Sequence, residues 1–308
     1  MPVPARYPRT ILATCVVPWD EQEKLLEAVF RDEIRYLQGL GLDHLYIFGT
    51  AGEGYAVDTP RFREVVAVFA DETQGKPIQT QVGVIGLSTA NVIERIRIAY
   101  EAGFRTFQIS LPAWRGLNDV ELRRYFDDVC GAFPDCNFLH YNLGSAYRTL
   151  TADDYRVLVD RVPNLVATKN TFVDAGNLID LIQNVPELQH FLGESNYPHG
   201  CMTGTCSLLP SISLALPGMT RALYDAGQAG DVQRLFELQH QIRLFTRQVL
   251  GPLLRQRRID GAYDKLLLRL SGFEAMPLRL LSPYQGFDED DYQACKQRLD
   301  AYLAQRSN

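Results

Sequence analysis

Residues 118–169 read NDVELRRYFDDVCGAFPDCNFLHYNLGSAYRTLTADDYRVLVDRVPNLVATK, and the alternation of helical and strand periods in this stretch decides the fold. Asn118 with Glu121 has the form of a capping box, and Leu122, Phe126 and Val129 then recur at helical spacing on one apolar face. Residues 136–142 (CNFLHYN) form a short β-rich run. Thr151 carries the side-chain oxygen of an N-cap, and Tyr155, Leu158, Val159 and Val162 again share one face. Residues 164–169 (NLVATK) close the stretch as a second strand. Helix, strand, helix, strand with connections this short is the repeat of a parallel sheet.

The same repeat extends outward from Thr10 to Tyr224. Strands are predicted at 11–17, 44–49, 77–84, 104–110, 136–142, 164–169, 188–193 and 205–211. Thr59 with Pro60 is predicted to cap a helix whose Phe62, Val65, Val66 and Phe69 face the sheet. Eight strands, each followed by a helix, predict a closed (β/α)8 TIM barrel rather than an open doubly wound sheet. The seventh unit is the shortest, since NYPHGCMTG leaves room for about two helical turns. Beyond Ala226 only helical period remains, as in Leu235, Leu238, Ile242, Phe245 and Val249. The chain is therefore divided into a barrel carrying the active site, 1–225, and a helical extension packed on it, 226–308.

Composition narrows the functional classes. Hydrophobic residues make up 46% and charged residues 22%, which excludes disordered and fibrous chains. The net charge of −6 gives no general attraction for nucleic acid or an anionic membrane, so an anionic substrate needs its own local site. No stretch approaches the roughly 20 apolar residues of a membrane span, and the opening MPVPARYPRT has no apolar core of signal-peptide length. A cytoplasmic location is expected. The six cysteines have no CxxC pair and the five histidines no HxH or HxxxH spacing, so no metal is expected. Arg255, Arg257 and Arg258 form a small basic cluster that reads as a solvated face.

In a barrel the chemistry sits at the C-terminal ends of the strands. After the second strand comes GTAGEG, residues 49–54, whose three glycines allow a sharp turn and expose N–H donors to a carboxylate or phosphate. Glu53 reads as a buried, hydrogen-bonded support of this loop. Tyr141 ends the fifth strand and Lys169 the sixth, and the alternations Asn137, Leu139, Tyr141 and Leu165, Ala167, Lys169 place both side chains inward. A strand-end lysine can hold its ammonium in water. Buried, it loses its proton, and the neutral amine attacks a ketone to form a Schiff base. A phenol beside it can carry the protons that carbinolamine formation and dehydration require, with Thr50 extending the relay.

With these motifs in place, GTAGE at 49–53, Tyr141 with Asn142, and Lys169 at a strand end, the chain resembles the class I pyruvate-dependent lyases and aldolases that include dihydrodipicolinate synthase and N-acetylneuraminate lyase. The resemblance covers about Thr10 to Asp231. It implies a Schiff base on Lys169, proton transfer by Tyr141, and carboxylate binding by Thr50 and the neighbouring N–H groups of Ala51 and Gly52. Gly193, Trp114 and Arg148 are the further substrate-binding candidates. It also implies a 2-oxo acid substrate, no cofactor beyond the covalent imine, and a homotetramer built from dimers, with the residue after the fourth strand near a subunit boundary.

The departures matter as much. Ala51 stands where the family carries a second hydroxyl. Ala113 and Trp114, in LPAWRG, replace the tyrosine pair of the synthase branch, and Arg148 in YNLGSAYRTL falls out of the register of the synthase arginine. Ser195 and Asn196 replace an acidic pair of N-acetylneuraminate lyase. The LP-x-W sequence resembles the hydratase-aldolase branch, whose members cleave aryl-substituted 2-oxo acids, and a less polar substrate would suit Ala113, Trp114 and Leu143. The expected function is a lyase or aldolase of a hydratase-aldolase-like or uncharacterised branch rather than the synthase. The alternative is a barrel that binds a small 2-oxo acid or sugar acid without turnover. A phosphate-handling barrel isomerase is disfavoured, because the glycine-rich loop follows the second strand and not the seventh or eighth.

Overall fold

Eight parallel strands pair in the order of the chain in the computed structural model, which describes residues 4–171, 173–216 and 218–306. They are β1 (Ala13–Thr14), β2 (His44–Ile47), β3 (Gln79–Gly83), β4 (Thr106–Ile109), β5 (Asn137–Tyr141), β6 (Leu165–Asn170), β7 (Gln189–Gly193) and β8 (Ser207–Leu209). Backbone bonds from Leu12 N to Leu208 O (2.9 Å) and from Leu208 N to Thr10 O (3.1 Å) join β8 back to the first segment and close the barrel. Each predicted strand overlaps one of these, seven of them shortened within the predicted bounds and β6 shifted by one residue to end at Asn170, which pairs with Leu192. The ends of the predicted 1–225 and 226–308 units, residues 1–3 and 307–308, lie outside the described residues.

Local capping chemistry sets the helices on the outer face. Asn118 accepts from Val120 N and Glu121 N at 2.9 and 3.0 Å while Glu121 accepts from Asn118 N at 2.9 Å, the predicted reciprocal box. Thr151 does the same with Asp154 at the start of Ala152–Arg161. The predicted cap at Thr59 is corrected by one residue. Asp58 accepts from Arg61 N at 2.9 Å and Thr59 is already helical, because a carboxylate both fills the orphan N–H and suits the positive end of the helix dipole. The seventh helix, Tyr197–Thr203, is seven residues long.

Two cores result. Inward-facing Tyr46, Leu139, Ala167, Phe191 and Leu209 fill the barrel, and a larger cluster that includes Phe30, Val65, Phe69, Phe126 and Leu158 packs helices on its outside. The helix of the eighth unit, Met219–Ala229, runs across the 225/226 division, so the extension begins with Val232–Phe245. A π-helical turn (Thr246–Leu250) and the helices Gly251–Leu254, Asp260–Leu270 and Glu289–Ala304 follow. Phe245, Val249, Leu266, Cys295, Leu299 and Tyr302 give this extension a core of its own, which reaches the barrel at Ala215 and Leu216.

Candidate active site

Pairing of β5 with β6 sets Tyr141 directly opposite Lys169. Lys169 is 2% exposed, which removes the solvated reading of its ammonium. Its Nζ donates to the Tyr46 hydroxyl at 3.0 Å and lies 3.7 Å from the centre of the Tyr141 ring. Burial pulls its pKa from 10.5 down to about 7, opposed by the negative charges of Asp264 and Asp260. A large share of the amine is therefore unprotonated at neutral pH. Burial pushes the Tyr141 phenol up to about 12, so it stays neutral and is able to hand a proton across. Thr50 Oγ1 donates to the Tyr141 hydroxyl at 3.5 Å, a long bond on the predicted relay.

Tyr46 escaped the sequence reading although its inward phase on β2 was a usable signal. Its ring occupies the space that Gly49 leaves open, where an added Cβ would meet the ring at 2.6 Å. Phe48, just before this loop, and Glu53, within it, both hold left-handed backbone (φ 61° and 58°), a conformation that costs about 1–3 kcal/mol at non-glycine residues. The side chain of Glu53 opposes that strain. Its Oε1 accepts from Trp19 Nε1 at 3.0 Å and Lys265 Nζ at 2.6 Å, and its Oε2 accepts from Leu281 N at 2.7 Å. The helical extension is thereby tied to the loop, in the supporting role expected of Glu53. Bonds inside the loop run from Glu53 N to Thr50 O (3.2 Å) and from Gly54 N to Gly49 O (3.1 Å), which leaves the N–H groups of Ala51 and Gly52 unused within it. Gly52 packs against the backbone of Phe48 and Cys15, while Thr50 and Ala51 line the cavity.

The cavity has a volume of about 310 Å3. Lys169, Tyr141, Tyr46, Thr50, Ala51 and Gly193 form the barrel side, so five of the eight candidate residues converge there. The opposite wall comes from the β8 loop and the extension, through Ser211, Thr246, Tyr263 and Asp264. Beyond Ser195, Thr246 and Leu254 the cavity adjoins an outer groove flanked by Arg243, Arg247 and Arg255. No group of three metal-ligating side chains comes together among the described residues.

The profile of the dihydrodipicolinate synthetase family matches residues 7–301, nearly the whole chain. The chain belongs to the dihydrodipicolinate synthetase family. Membership makes it a Schiff-base lyase or aldolase. A Bacillus licheniformis relative named "Probable 5-dehydro-4-deoxyglucarate dehydratase" is 26% identical over 89% of this chain and 86% of its own. The N-acetylneuraminate lyase of Salmonella typhimurium is 23% identical over 93% and 94%. Among solved structures, YagE, a prophage protein of the dihydrodipicolinic acid synthase family from E. coli K12 in complex with pyruvate, superposes with a TM-score of 0.84 at 18% identity, covering 96% of this chain and 98% of that one. CdNal from Clostridium difficile, in complex with mannosamine, superposes at 0.82 with 18% identity over 95% and 98%. At such identities the structures speak for the fold.

Within this family frame, two expected substrate contacts need correction. Trp114 is 84% exposed and lies in a separate groove with Pro112, Arg115 and Leu117, away from the Lys169 cavity. Arg148 donates to Leu117 O at 2.7 Å, Asp119 at 2.8 Å and Asp154 at 2.6 Å, which engages its guanidinium with the helix caps around it. The cause is the loop after β5. Asn142 holds Leu150 through both its amide groups (2.9 and 2.8 Å), and Tyr147 turns through φ 57°, so the segment folds back before Arg148 can reach the cavity.

Proposed function

We propose that Lys169 condenses with the ketone of pyruvate or a longer 2-oxo acid, and that the covalent imine is the only cofactor the chemistry needs. The observation that carries this reading is the enclosed amine, with its pKa near 7, set between two phenols at the floor of the cavity. Thr50 and the N–H groups of Ala51 and Gly52 receive the substrate carboxylate. Tyr141 moves the protons of carbinolamine formation and dehydration. The protonated imine then acts as an electron sink for C–C or C–O cleavage at the adjacent carbons. Because only the neutral amine attacks, the rate of imine formation should rise with pH through about 7 and level off above it. Stopped-flow measurement with pyruvate checks this, and a midpoint near that of a free lysine would contradict it.

We place the chain outside the true synthase branch. Ala113 and Trp114 cannot replace a tyrosine pair as proton carriers, since an indole N–H donates only. Trp114 was also the residue behind the expectation of an aryl substrate, and it does not line the cavity. The wall of Ser211, Tyr263 and Asp264 supports a hydroxylated 2-oxo acid instead. A panel of 2-oxo acids and 2-oxo-3-deoxy sugar acids, screened for pyruvate release, tests the assignment. Binding of every member with turnover of none would favour the non-catalytic reading.

The homo-oligomer, a homotetramer built from dimers, belongs to the same proposal. Trp114 (84% exposed) and Tyr147 (73%) are exposed, the backbone of Tyr147 lies against Gly116 in the loop that carries Trp114, and exposed aromatics of this kind suit a subunit contact. Sedimentation velocity should report an assembly that Trp114→Ala weakens, whereas a monomer would remove the proposal. A cytoplasmic site of action is proposed for this barrel of the family, in which no helix among the described residues is long and apolar enough to cross a membrane.

A further inference from the structure

Imine chemistry on Lys169 leaves Asp264 as a titratable group in the cavity with no task. Asp264 is half-buried in the wall, on the helix Asp260–Leu270. Its Oδ1 accepts from Ser211 Oγ at 2.8 Å, and Oδ2 has no protein donor among the described residues. Ser211 is itself fixed, since its N–H donates to Glu194 at 2.7 Å and Glu194 also accepts from Ser213 N at 2.9 Å. Among the described residues no arginine or lysine forms an ion pair with Asp264, and the buried cation next to it on this helix, Lys265, is held by Glu53. A carboxyl placed in a cavity with one hydroxyl for support is costly to bury and contributes little to folding. Such a group is a candidate for function.

We propose that Asp264 is a catalytic residue that takes the proton of a substrate hydroxyl while the C–C bond next to the imine breaks, which makes the substrate a 4-hydroxy-2-oxo acid. The proposal rests on Lys169 forming the imine. With C2 held as the protonated imine, the Asp264 carboxylate removes the proton of the C4 hydroxyl. The O–H electrons form the C4 carbonyl, the C3–C4 bond breaks, and its electron pair forms the C2–C3 double bond of the enamine as the nitrogen loses its positive charge. Tyr141 returns a proton to C3, and water hydrolyses the imine to pyruvate and free Lys169. Asp264 gives its proton to solvent and Tyr141 recovers one, so the cycle closes with an aldehyde and pyruvate as products.

Charge in the cavity suits this role. Burial first, and the neighbouring Asp260 and Glu194, raise Asp264 to about 7, against the opposing Ser211 bond and Lys169. Lys169, Asp260, Glu194 and the phenols of Tyr46, Tyr141 and Tyr263 are the titratable groups that line the cavity with it. Both protonation states of Asp264 are thus populated at neutral pH, as an efficient acid–base group requires.

The decisive variant is Asp264→Asn, which keeps the size and the acceptor for Ser211. Three readouts are compared with the wild type: borohydride trapping with pyruvate, exchange of the pyruvate C3 protons with deuterated water, and cleavage of 4-hydroxy-2-oxoglutarate, 4-hydroxy-2-oxopentanoate and 2-oxo-3-deoxygluconate. Trapping and exchange should stay within a few-fold, while cleavage of whichever acid the wild type accepts should fall on the order of 10²- to 10⁴-fold. Ser211→Ala should lower cleavage in the same direction by a smaller factor. Retained cleavage in Asp264→Asn, or equal losses of exchange and cleavage, would overturn the assignment. Wild-type protein that traps pyruvate yet cleaves none of the three acids would also overturn it while leaving the imine intact. Absence of trapping in the wild type removes the imine reading itself.

Discussion

Lys169→Ala is expected to abolish pyruvate-dependent turnover, with kcat reduced by at least about 10⁴-fold, because a covalent nucleophile cannot be replaced by binding alone. The loss should be chemical and not structural. Alanine removes a buried amine whose ionised form burial disfavours, and it leaves Tyr46 and Tyr141 packed in the barrel interior. The variant should therefore fold and bind a 2-oxo acid through Thr50 and the loop N–H groups. Lys169→Arg should be equally inactive, since a guanidinium remains charged and forms no imine. Steady-state kinetics with the best acid of the substrate panel, together with a denaturation curve, separates the two effects. Residual activity within a hundredfold of the wild type would place the nucleophile elsewhere.

Glu53→Ala should have the largest effect on stability. Glu53 and Lys265 are both fully buried and 2.6 Å apart, and the same carboxylate serves Trp19 and Leu281. Removing one partner of such a pair costs about 3–5 kcal/mol, since a buried charge and two N–H donors lose their acceptor. The left-handed turn at Glu53 would also lose its anchor, so the damage should spread to Thr50 and Ala51 and weaken carboxylate binding. The double variant Glu53→Ala, Lys265→Met should recover a substantial part of the loss, because no charge is then left buried without a partner. Urea unfolding of the two single variants and the double variant gives the comparison. A cost below about 1 kcal/mol for Glu53→Ala would show that the pair does not hold the loop.

Why the barrel was legible in sequence follows from the locality of its signals. Periods of two and 3.6 residues, and the caps at Asn118 and Thr151, are written within a few residues of where they act. Strand phase likewise fixes which side chains point inward, so Lys169 and Tyr141 could be placed together before any geometry was known. Tyr46 obeys the same phase but lies within β2, short of the strand end where barrel chemistry is expected. Trp114 and Arg148 lie in loops, where position depends on distant partners such as Asn142, Leu150 and Asp154 rather than on any period.

Asp264 was beyond local reading for another reason. It lies among Ala262, Leu266, Leu267 and Leu270, a helix whose apolar residues pack in the extension, and only the docking of that helix on the barrel brings its polar side to the cavity. The same docking, fixed by Lys265 and Leu281 on Glu53, gives the extension a part in the site that a division into barrel and appendage does not suggest.

The most direct test of the whole reading is reduction with borohydride in the presence of pyruvate, followed by intact and peptide mass measurement. The protein should gain the mass of one reduced pyruvate on the peptide that contains Lys169, and Lys169→Ala should gain none. No adduct on the wild type, or an adduct on another lysine, would contradict the assignment of Lys169 as the residue that forms the imine.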